Sequence, residues 1–519
     1  MNKKIPSLLF AIGLFTAQTA LAQLNINGAQ FFIESGAEVT VQGNLTSTVD
    51  ILGPGKIVLK GTANQDVNMG GFTIPNLVLD NSANVTLTGS ARIGSSLLFT
   101  NGKILAGNFN LNLADAATVS GMGTGKFIET NGTGQVMKEI TANVASTEIP
   151  VGAGADYRPA FITTSGTYST ARVGVRVLAT PDPNKPPSLT DYIMAYWPIT
   201  RTGVTGTVTV AGQYIDGDIT GTETNLRGYY FNGTDWSSAT ETHTPASNRV
   251  SASIVANGNL SALDKFDLVK AKVFLQGPYN TTTGVMSEAL RTYLPNTDPY
   301  RVAPYNTTFT HVNNSIAETV IGTPFSDHAT DDNIIDWVFL ELRNTTVGNP
   351  GANIVETRSA LIQRDGDIVD VDGVSPVTFN NVPSANYTIA VRHRNHLGVS
   401  TDPVTLTPSL GEARSTAPLV DFTTATDAQI FGTSTAFKIA TGNKVVLWAG
   451  DADVNGRLKY GGAPNDPNRV QTQALTFPGN TSGSYTYNNA IGYFSGDINM
   501  DSRVKFAGSL NDVNIIQTN

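Results

Sequence analysis

Two stretches near the C-terminus carry oxygen-bearing side chains at every second position, and the second stretch lies 46 residues after the first. The six residues are Asp451, Asp453 and Asn455, then Asp497, Asn499 and Asp501. A calcium ion takes six to eight oxygen ligands at roughly 2.3 to 2.6 Å. A tightly wound loop supplies them when alternate residues turn inward. The spacing therefore predicts two calcium sites.

The two stretches stay in register over their next positions. Position six must turn sharply, and it is Gly456 in the first copy and Ser502 in the second. Position seven coordinates through its backbone carbonyl, so that the side chains of Arg457 and Arg503 are free. The alternative is a repeated Asx-turn hairpin that holds no metal. A second copy in matching register favours calcium over that alternative.

Position twelve departs from the usual calcium loop, which has a bidentate carboxylate there. It is Gly462 in one copy and Gly508 in the other. The nearest later carboxylates are Asp466 and Asp512, each four residues further along and each next to an asparagine. We expect a lengthened loop in which these aspartates supply the last oxygens. Each could also cap the short helix that follows.

The segment from about 436 to 519 resembles the dockerin-type pair of calcium loops. With this ending, the β-rich chain resembles, loosely over most of its length, hemagglutinin- or adhesin-like surface proteins of Gram-negative bacteria. The resemblance implies an adhesive or structural role on the cell surface or after secretion. It implies a glycan or protein ligand without identifying one. We expect calcium to fold the loops while the upstream domains keep their own cores.

The N-terminus predicts export. Residues 1 to 22 combine a basic start, an apolar run and the small-x-small site Ala20-Leu21-Ala22. The apolar run is too short to span a bilayer, and no later segment approaches the roughly 20 apolar residues of a membrane helix. The 519-residue chain has no cysteine and a net charge of −9, or about −11 after cleavage. Such an acidic surface repels phosphate backbones, which argues against a nucleic-acid partner.

Residues 23 to 135 contain short apolar-polar-apolar triplets at a regular interval. Triplets that start at Val39, Ile57, Leu77 and Leu97 are separated by 18, 20 and 20 residues. A fixed period with one short strand per turn predicts a parallel β-helix-like solenoid, in which Leu77 and Leu97 point inward in neighbouring rungs. The alternative is an ordinary antiparallel sandwich with coincidental spacing.

The rest of the chain predicts a mainly β protein with further domains. Residues 136 to 265 have longer strand patterns and predict a β-sandwich, whose Trp197 and Trp236 we expect in the core rather than on a sugar-stacking platform. Residues 266 to 435 alternate strand patterns with turn signals and predict an immunoglobulin-like β-sandwich. Residues 436 to 519 form the calcium-loop module.

The familiar enzyme motifs are missing from the sequence. There is no G-x-S-x-G elbow and no H-E-x-x-H helix. His393 and His396 form H-x-x-H, but residues three apart on a strand point to opposite faces. The carboxylates of the solenoid are scattered, so a polysaccharide lyase is the least favoured hypothesis. We predict a non-enzymatic adhesive protein. The alternative is a carbohydrate-binding or scaffold component that docks through its dockerin-like end.

Overall fold

The computed structural model describes residues 23–238, 242–328, 330–344, 353–383, 387–402, 413–415, 417, 419–432, 437–440 and 444–519. The predicted signal peptide, residues 1–22, lies outside the described residues. The protein is mainly β, with a solenoid of about six turns, an additional antiparallel sheet and few helices, which confirms the predicted fold class at this level. The chain divides into two compact units. One comprises Met1–Ala179 and Trp197–Gln213, and the other Thr180–Tyr196 and Tyr214–Asn519.

The first unit begins with the solenoid, whose strands stack in parallel. One stack of parallel strands is Leu24–Ile26, Leu45–Ser47, Gln65–Asn68, Val85–Leu87, Ile104–Leu105, Ile128–Glu129 and Val151–Ala153. The other rung strands are Phe31–Phe32, Glu38–Val41, Ile51–Leu52, Lys56–Gly61, Thr73–Asn81, Ala91–Asn101, Leu111–Leu113, Thr118–Ser120 and Val136–Ile140. The parallel stacking thus continues beyond residue 135.

The register of the rungs confirms the predicted period. Val39 pairs with Ile57, Ile57 with Leu77, and Leu77 with Leu97, always in parallel. Leu77 is 3% exposed and Leu97 is fully buried, so both point inward as predicted. An apolar residue at the same place in each turn buries its side chain on the turn before, which is how a solenoid builds a continuous core.

The first unit ends in an antiparallel region. The strands are Val144–Ile149, Asp156–Tyr157, Ala160–Val175 and Trp197–Gln213. The last two pair in a long antiparallel ladder. Trp197 is fully buried, and its indole N–H donates to the Arg158 carbonyl at 3.1 Å, which confirms its core position.

The second unit starts with short antiparallel strands. They are Tyr192–Ile193, Ile219–Thr220, Leu226–Phe231, Trp236–Ser237, Thr242–Thr244, Arg249–Ser253 and Gly258–Asp264. Trp236 is 2% exposed and packs edge-on against Tyr229, so it too lies in the core as predicted. The residues from 136 to 265 are therefore divided between the two compact units.

The main sheet of the second unit is largely antiparallel and supplies the largest core of this unit. Its strands are Phe266–Lys272, Ile334–Asn344, Ile354–Gln363, Asp367–Val369, Val377–Asn380, Tyr387–Arg392, Val399–Ser400 and Leu419–Asp421, followed by the separate hairpin Phe437–Ala440 and Lys444–Leu447. The Tyr387 hydroxyl donates to the Pro383 carbonyl at 2.5 Å.

The C-terminal module holds two α-helices, Asp466–Thr476 and Val513–Thr518, each directly after one of the predicted loops. A small core of its own includes Val470, Ile498 and Val504. Among the described residues, no helix is long and apolar enough to cross a membrane. The short 3-10 helices are Asp216–Asp218, Glu223–Asn225, Pro245–Ser247, Arg291–Tyr293, Pro299–Arg301, Tyr305–Thr307 and Asp427–Gln429.

Candidate calcium-binding loops

The first loop winds its backbone around Asp451. The two carboxylate oxygens of Asp451 accept hydrogen bonds from the backbone N–H groups of Asn455 and Gly456, each at 2.9 Å. One oxygen each of Asp451, Asp453 and Asp466 lie within 4.8 Å of one another. The structure therefore brings together three of the carboxylates that the sequence predicted as ligands.

Asp466 reaches this group because the chain folds back on itself. Gly462 has a φ of +74°, a left-handed conformation that favours glycine, and turns the chain at position twelve. Asp466 Oδ2 then accepts from the Lys459 N–H at 2.7 Å. The helix is capped by the neighbouring Asn465, which accepts from the Asn468 N–H at 3.0 Å. The aspartate points into the loop and leaves the capping to the asparagine.

The second loop repeats this arrangement. Asp497 accepts from the N–H groups of Asp501 and Ser502 at 3.0 and 2.9 Å. Asp512 Oδ2 accepts from the Lys505 N–H at 2.8 Å, as Asp466 does from Lys459 in the first loop. Because these bonds match position by position, the two loops share one hydrogen-bonding frame. Within the described C-terminal module, residues 444–519, only the first loop brings three carboxylates within 4.8 Å of one another.

The remaining features of the second loop also match. Asn499 Oδ1 accepts from the Asp501 N–H at 3.0 Å and so lies within the loop. Asn511 accepts from the Asn514 N–H at 3.0 Å, and Gly508 turns the chain with a φ of +93°. The predicted position-seven residues, Arg457 and Arg503, have exposed side chains, which is compatible with coordination through the backbone.

Both loops adopt left-handed backbone angles at positions four and six. The φ values are +60° at Val454 and +78° at Gly456, then +56° at Met500 and +73° at Ser502. Such angles are unfavourable for residues with a side chain, above all for a β-branched one. Val454 and Met500 both pack into the core of the main sheet. Burial of these two side chains offsets the strain that the loop geometry imposes.

Four carboxylates of the two loops are buried, those of Asp451, Asp466, Asp497 and Asp512. Burial raises the pKa of Asp451 to about 7, of Asp466 to about 6 and of Asp512 to about 7. Burial, with repulsion from Asp512, raises the pKa of Asp497 well above its usual range. A divalent cation would neutralise this charge, and its binding free energy would then contribute to folding.

The sequence did not reveal a buried polar network beside the second loop. His393 and His396 lie after the end of the strand, and their Nδ1 atoms approach to 3.1 Å, so the prediction that they face opposite sides was wrong. Gly277 N–H donates to His396 Nε2, which places the proton of that ring on Nδ1. His393 Nε2 lies 3.0 Å from Asp336. Burial lowers the pKa of both histidines, and each ring is held by hydrogen bonds.

The same network joins the main sheet to the second loop. Asn395 donates to the Asp497 carbonyl at 2.6 Å, and Arg394 donates to the Phe494 carbonyl. Arg394 is fully buried and also donates to Asp336 at 2.9 Å. These contacts fix the backbone at Asp497, the predicted first ligand of the second loop.

The junction between the main sheet and the second loop is tightly packed, because the backbones at Gly277 and Ile498 approach each other closely. A Cβ atom at Gly277 would lie 1.9 Å from the Ile498 carbonyl oxygen, so only glycine fits there. Tyr493 donates to Asp336 at 2.7 Å. Val454 and Met500 of the module pack into the core of the main sheet, so the two share part of one core. The one sequence signal was the polar run RHRNH directly after an apolar strand.

Comparisons with protein-family models, with curated proteins and with solved structures found no match for this chain. The fold therefore defines the class at the level of a mainly β protein with a β-solenoid and further β-sheet regions.

Proposed function

We propose that this chain is an exported surface or secreted protein with an adhesive or structural binding role, and that two calcium ions stabilise its C-terminal module. The ligands would be the side chains of Asp451, Asp453, Asn455 and Asp466 in the first loop and of Asp497, Asn499, Asp501 and Asp512 in the second. Arg457 and Arg503 would contribute backbone carbonyl oxygens.

One observation carries the calcium proposal: both position-sixteen aspartates fold back to the same backbone N–H of their loops. A plain Asx-turn hairpin does not need a carboxylate fifteen residues from its start. A loop that holds a cation does need one, since the usual position-twelve carboxylate is replaced by glycine. The close group of Asp451, Asp453 and Asp466 supports the same reading.

The packing of the module supports a structural role for calcium within this chain. Val454 and Met500 lie in the core of the main sheet, and Asn395 binds the backbone of Asp497. A module that docks onto a separate partner would need a free face of its own. The second hypothesis is a scaffold component that docks through the C-terminal module. Its test is calcium-dependent capture of a partner by that module.

The adhesive role rests on the predicted export signal, the modular β architecture and the family resemblance. Its test is binding of the mature chain, from residue 23, to arrays of glycans and host matrix proteins, in calcium and in chelator. Retention on a defined ligand supports the role, and loss of retention in chelator links it to the loops. No retention on any surface would refute the adhesive proposal.

The enzymatic hypothesis has a separate test. In the solenoid, Glu129 pairs with Lys103 and Glu139 pairs with Arg92 at 2.7 Å, so these carboxylates already hold cationic partners. Incubation with polysaccharides should release no unsaturated products. Their appearance would replace the adhesive proposal with a lyase.

A further inference from the structure

Each candidate calcium loop starts after a glycine that packs against the helix of the other loop. A Cβ atom at Gly450, directly before the first loop, would lie 3.1 Å from Ile516 Cγ1, on the helix that follows the second loop. A Cβ atom at Gly496, directly before the second loop, would lie 3.1 Å from Val470 Cα, on the helix that follows the first loop. Because the two glycines hold the same place in the duplicated pattern, these contacts are reciprocal.

Two hydrogen bonds also join the halves of the module. The Gly496 N–H donates to Gln473 Oε1 at 2.8 Å, and Gln473 lies on the helix of the first loop. The side-chain amide of Asn519, at the end of the helix of the second loop, donates to the Ala449 carbonyl at 2.8 Å. Ala449 lies two residues before the first ligand of the first loop. A shift at the start of either loop therefore disturbs the other half.

One buried residue of the preceding segment, Asn395, contacts the starts of both loops. Its carbonyl accepts from the Gly450 N–H at 2.9 Å, and its side-chain amide donates to the Asp497 carbonyl at 2.6 Å. Asn395 is fully buried and lies three residues beyond the end of the strand Tyr387–Arg392. It therefore connects the main sheet with the backbone next to the first ligand of each loop.

His396 fixes the orientation of the Asn395 amide. The Nε2 atom of His396 accepts from the Gly277 N–H at 3.1 Å, so the proton of the ring lies on Nδ1. Nδ1 lies 2.8 Å from Asn395 Oδ1 and donates to it. The amide nitrogen of Asn395 is thereby directed at the Asp497 carbonyl. Hydrogen bonds on both sides hold the side chain that reaches the second loop.

This arrangement links the order of one loop to the order of the other. An ion in the second loop would hold Asp497, and the Asp497 carbonyl holds the Asn395 amide. The Asn395 carbonyl in turn holds Gly450 at the start of the first loop. A first ion would thus order groups that the second ion needs, and that is a source of positive cooperativity. Linkage makes the effect equal in both directions.

We propose that the two calcium loops are coupled, so that calcium in either loop raises the affinity of the other, and that Asn395 is the positioning residue that transmits this coupling. The inference rests on the calcium function proposed above and adds regulation by a residue outside the module. Coupled loops fill over a narrower range of calcium concentration than independent loops do.

The test is isothermal titration of the calcium-free full mature chain with calcium. Asp451→Asn leaves only the second loop intact, and Asp497→Asn leaves only the first. The coupling factor is the two-ion association constant of the wild type divided by the product of the two single-loop constants. The same three measurements are repeated with Asn395→Leu, which is close to asparagine in size. Asn395→Ala, which removes atoms without adding any, keeps the test open if the leucine variant does not fold.

Asn333→Leu is the matched control. Asn333 is 4% exposed and its Oδ1 accepts from the His328 N–H at 2.7 Å, in another part of the same unit. This variant loses a buried amide and stability but should keep the coupling factor of the wild type. A merely structural role of Asn395 would give the same result as this control.

Hydrogen exchange supplies a second readout. In Asp451→Asn, calcium enters only the second loop, yet it should slow exchange at Gly450, whose N–H is bonded to Asn395. The slowing is measured relative to the strand Ile334–Asn344, which lies in the core and reports global opening. Adding Asn395→Ala should remove it.

We expect a coupling factor of ten or more in the wild type and in Asn333→Leu, and of three or less in the Asn395 variants. Two ions that bind the wild type with a factor near one would overturn the inference and leave the calcium proposal intact. An unchanged factor in a folded Asn395 variant would overturn it as well. A chain that takes up no calcium would refute both.

Discussion

Replacing Asp466 with asparagine should change the free energy of unfolding in opposite directions with and without calcium. Asp466 is 1% exposed and lies beside Asp451 and Asp453. Burial raises its pKa to about 6, so at pH 8 the folded state holds an ionised carboxylate at a cost of up to about 3 kcal/mol. Asparagine removes the charge but keeps only one of two acceptors. Without calcium, we therefore expect the variant to be more stable by about 1 kcal/mol.

With calcium, the same substitution should destabilise the protein. At a calcium concentration a hundredfold above the dissociation constant, an independent site adds roughly 2.7 kcal/mol. If the loss of a charged ligand weakens affinity a hundredfold, the remaining contribution is about 0.4 kcal/mol. After the gain of about 1 kcal/mol from the removed charge, the variant should be less stable than the wild type by about 1 kcal/mol.

The assay is urea unfolding of the full mature chain at pH 8, followed by tryptophan fluorescence, since Trp337 is buried in the core of the second unit. Arg457→Ala is the matched control, because that exposed side chain is not a proposed ligand. It should leave the calcium response unchanged. If Asp466→Asn shifts stability by the same sign and size in calcium and in chelator, Asp466 is a structural residue only, and its role as a ligand is refuted.

Three further predictions concern other parts of the chain. Ser502→Gly should stabilise the protein by about 1 kcal/mol in urea unfolding, because φ is +73° there, whereas an alanine at this position should give no gain. Leu77→Ala should lower the free energy of unfolding of the first unit by about 2 to 5 kcal/mol in calorimetry, since its side chain is buried between rungs; a change below 1 kcal/mol would contradict the inward position. Burial, with repulsion from Glu318, raises the pKa of Glu356 to about 7, although Arg358 faces this carboxyl group. The unfolded chain therefore releases the proton at a lower pH than the folded protein does. The free energy of unfolding should fall by roughly 3 kcal/mol as the pH rises from about 4.5 to 7. Glu356→Gln should flatten this part of the pH profile, and an unchanged slope would assign it to other groups.

The solenoid was predictable because one physical requirement recurs in every turn. Each rung must place an apolar residue against the same position of the preceding rung, so the period of 18 to 20 residues is visible in the sequence. The observed pairs of Val39, Ile57, Leu77 and Leu97 follow that period. In such a fold, the period in the sequence also identifies the residues that contact each other in neighbouring rungs.

The oxygen-bearing residues of the loops were predictable from the sequence, and the residue that caps each following helix was less predictable. Alternating oxygens and the later aspartates are local features, and the structure places Asp466 beside Asp451. Asn465 and Asp466 are neighbours, and the direction of the backbone at the start of the helix decides which of the two side chains caps it. Both residue types are good caps, so propensity alone does not decide between them.

The network at His393 was beyond local sequence reasoning. Arg394 meets Asp336 across 58 residues, and Asn395 meets Asp497 across 102 residues. The strand that was expected to separate the two histidines ends at Arg392, so the alternation of faces no longer applies. Contacts of this kind depend on the packing of distant segments, and a single sequence contains no periodic signal for them.

The most direct test of the calcium proposal is the number of calcium ions bound by the full mature chain, measured by equilibrium dialysis with elemental analysis. We expect two ions per chain. Asp451→Asn and Asp497→Asn, each of which removes the first ligand of one loop, should each leave one ion. A chain that binds no calcium, or that keeps both ions in either variant, would contradict the assignment of the duplicated loops.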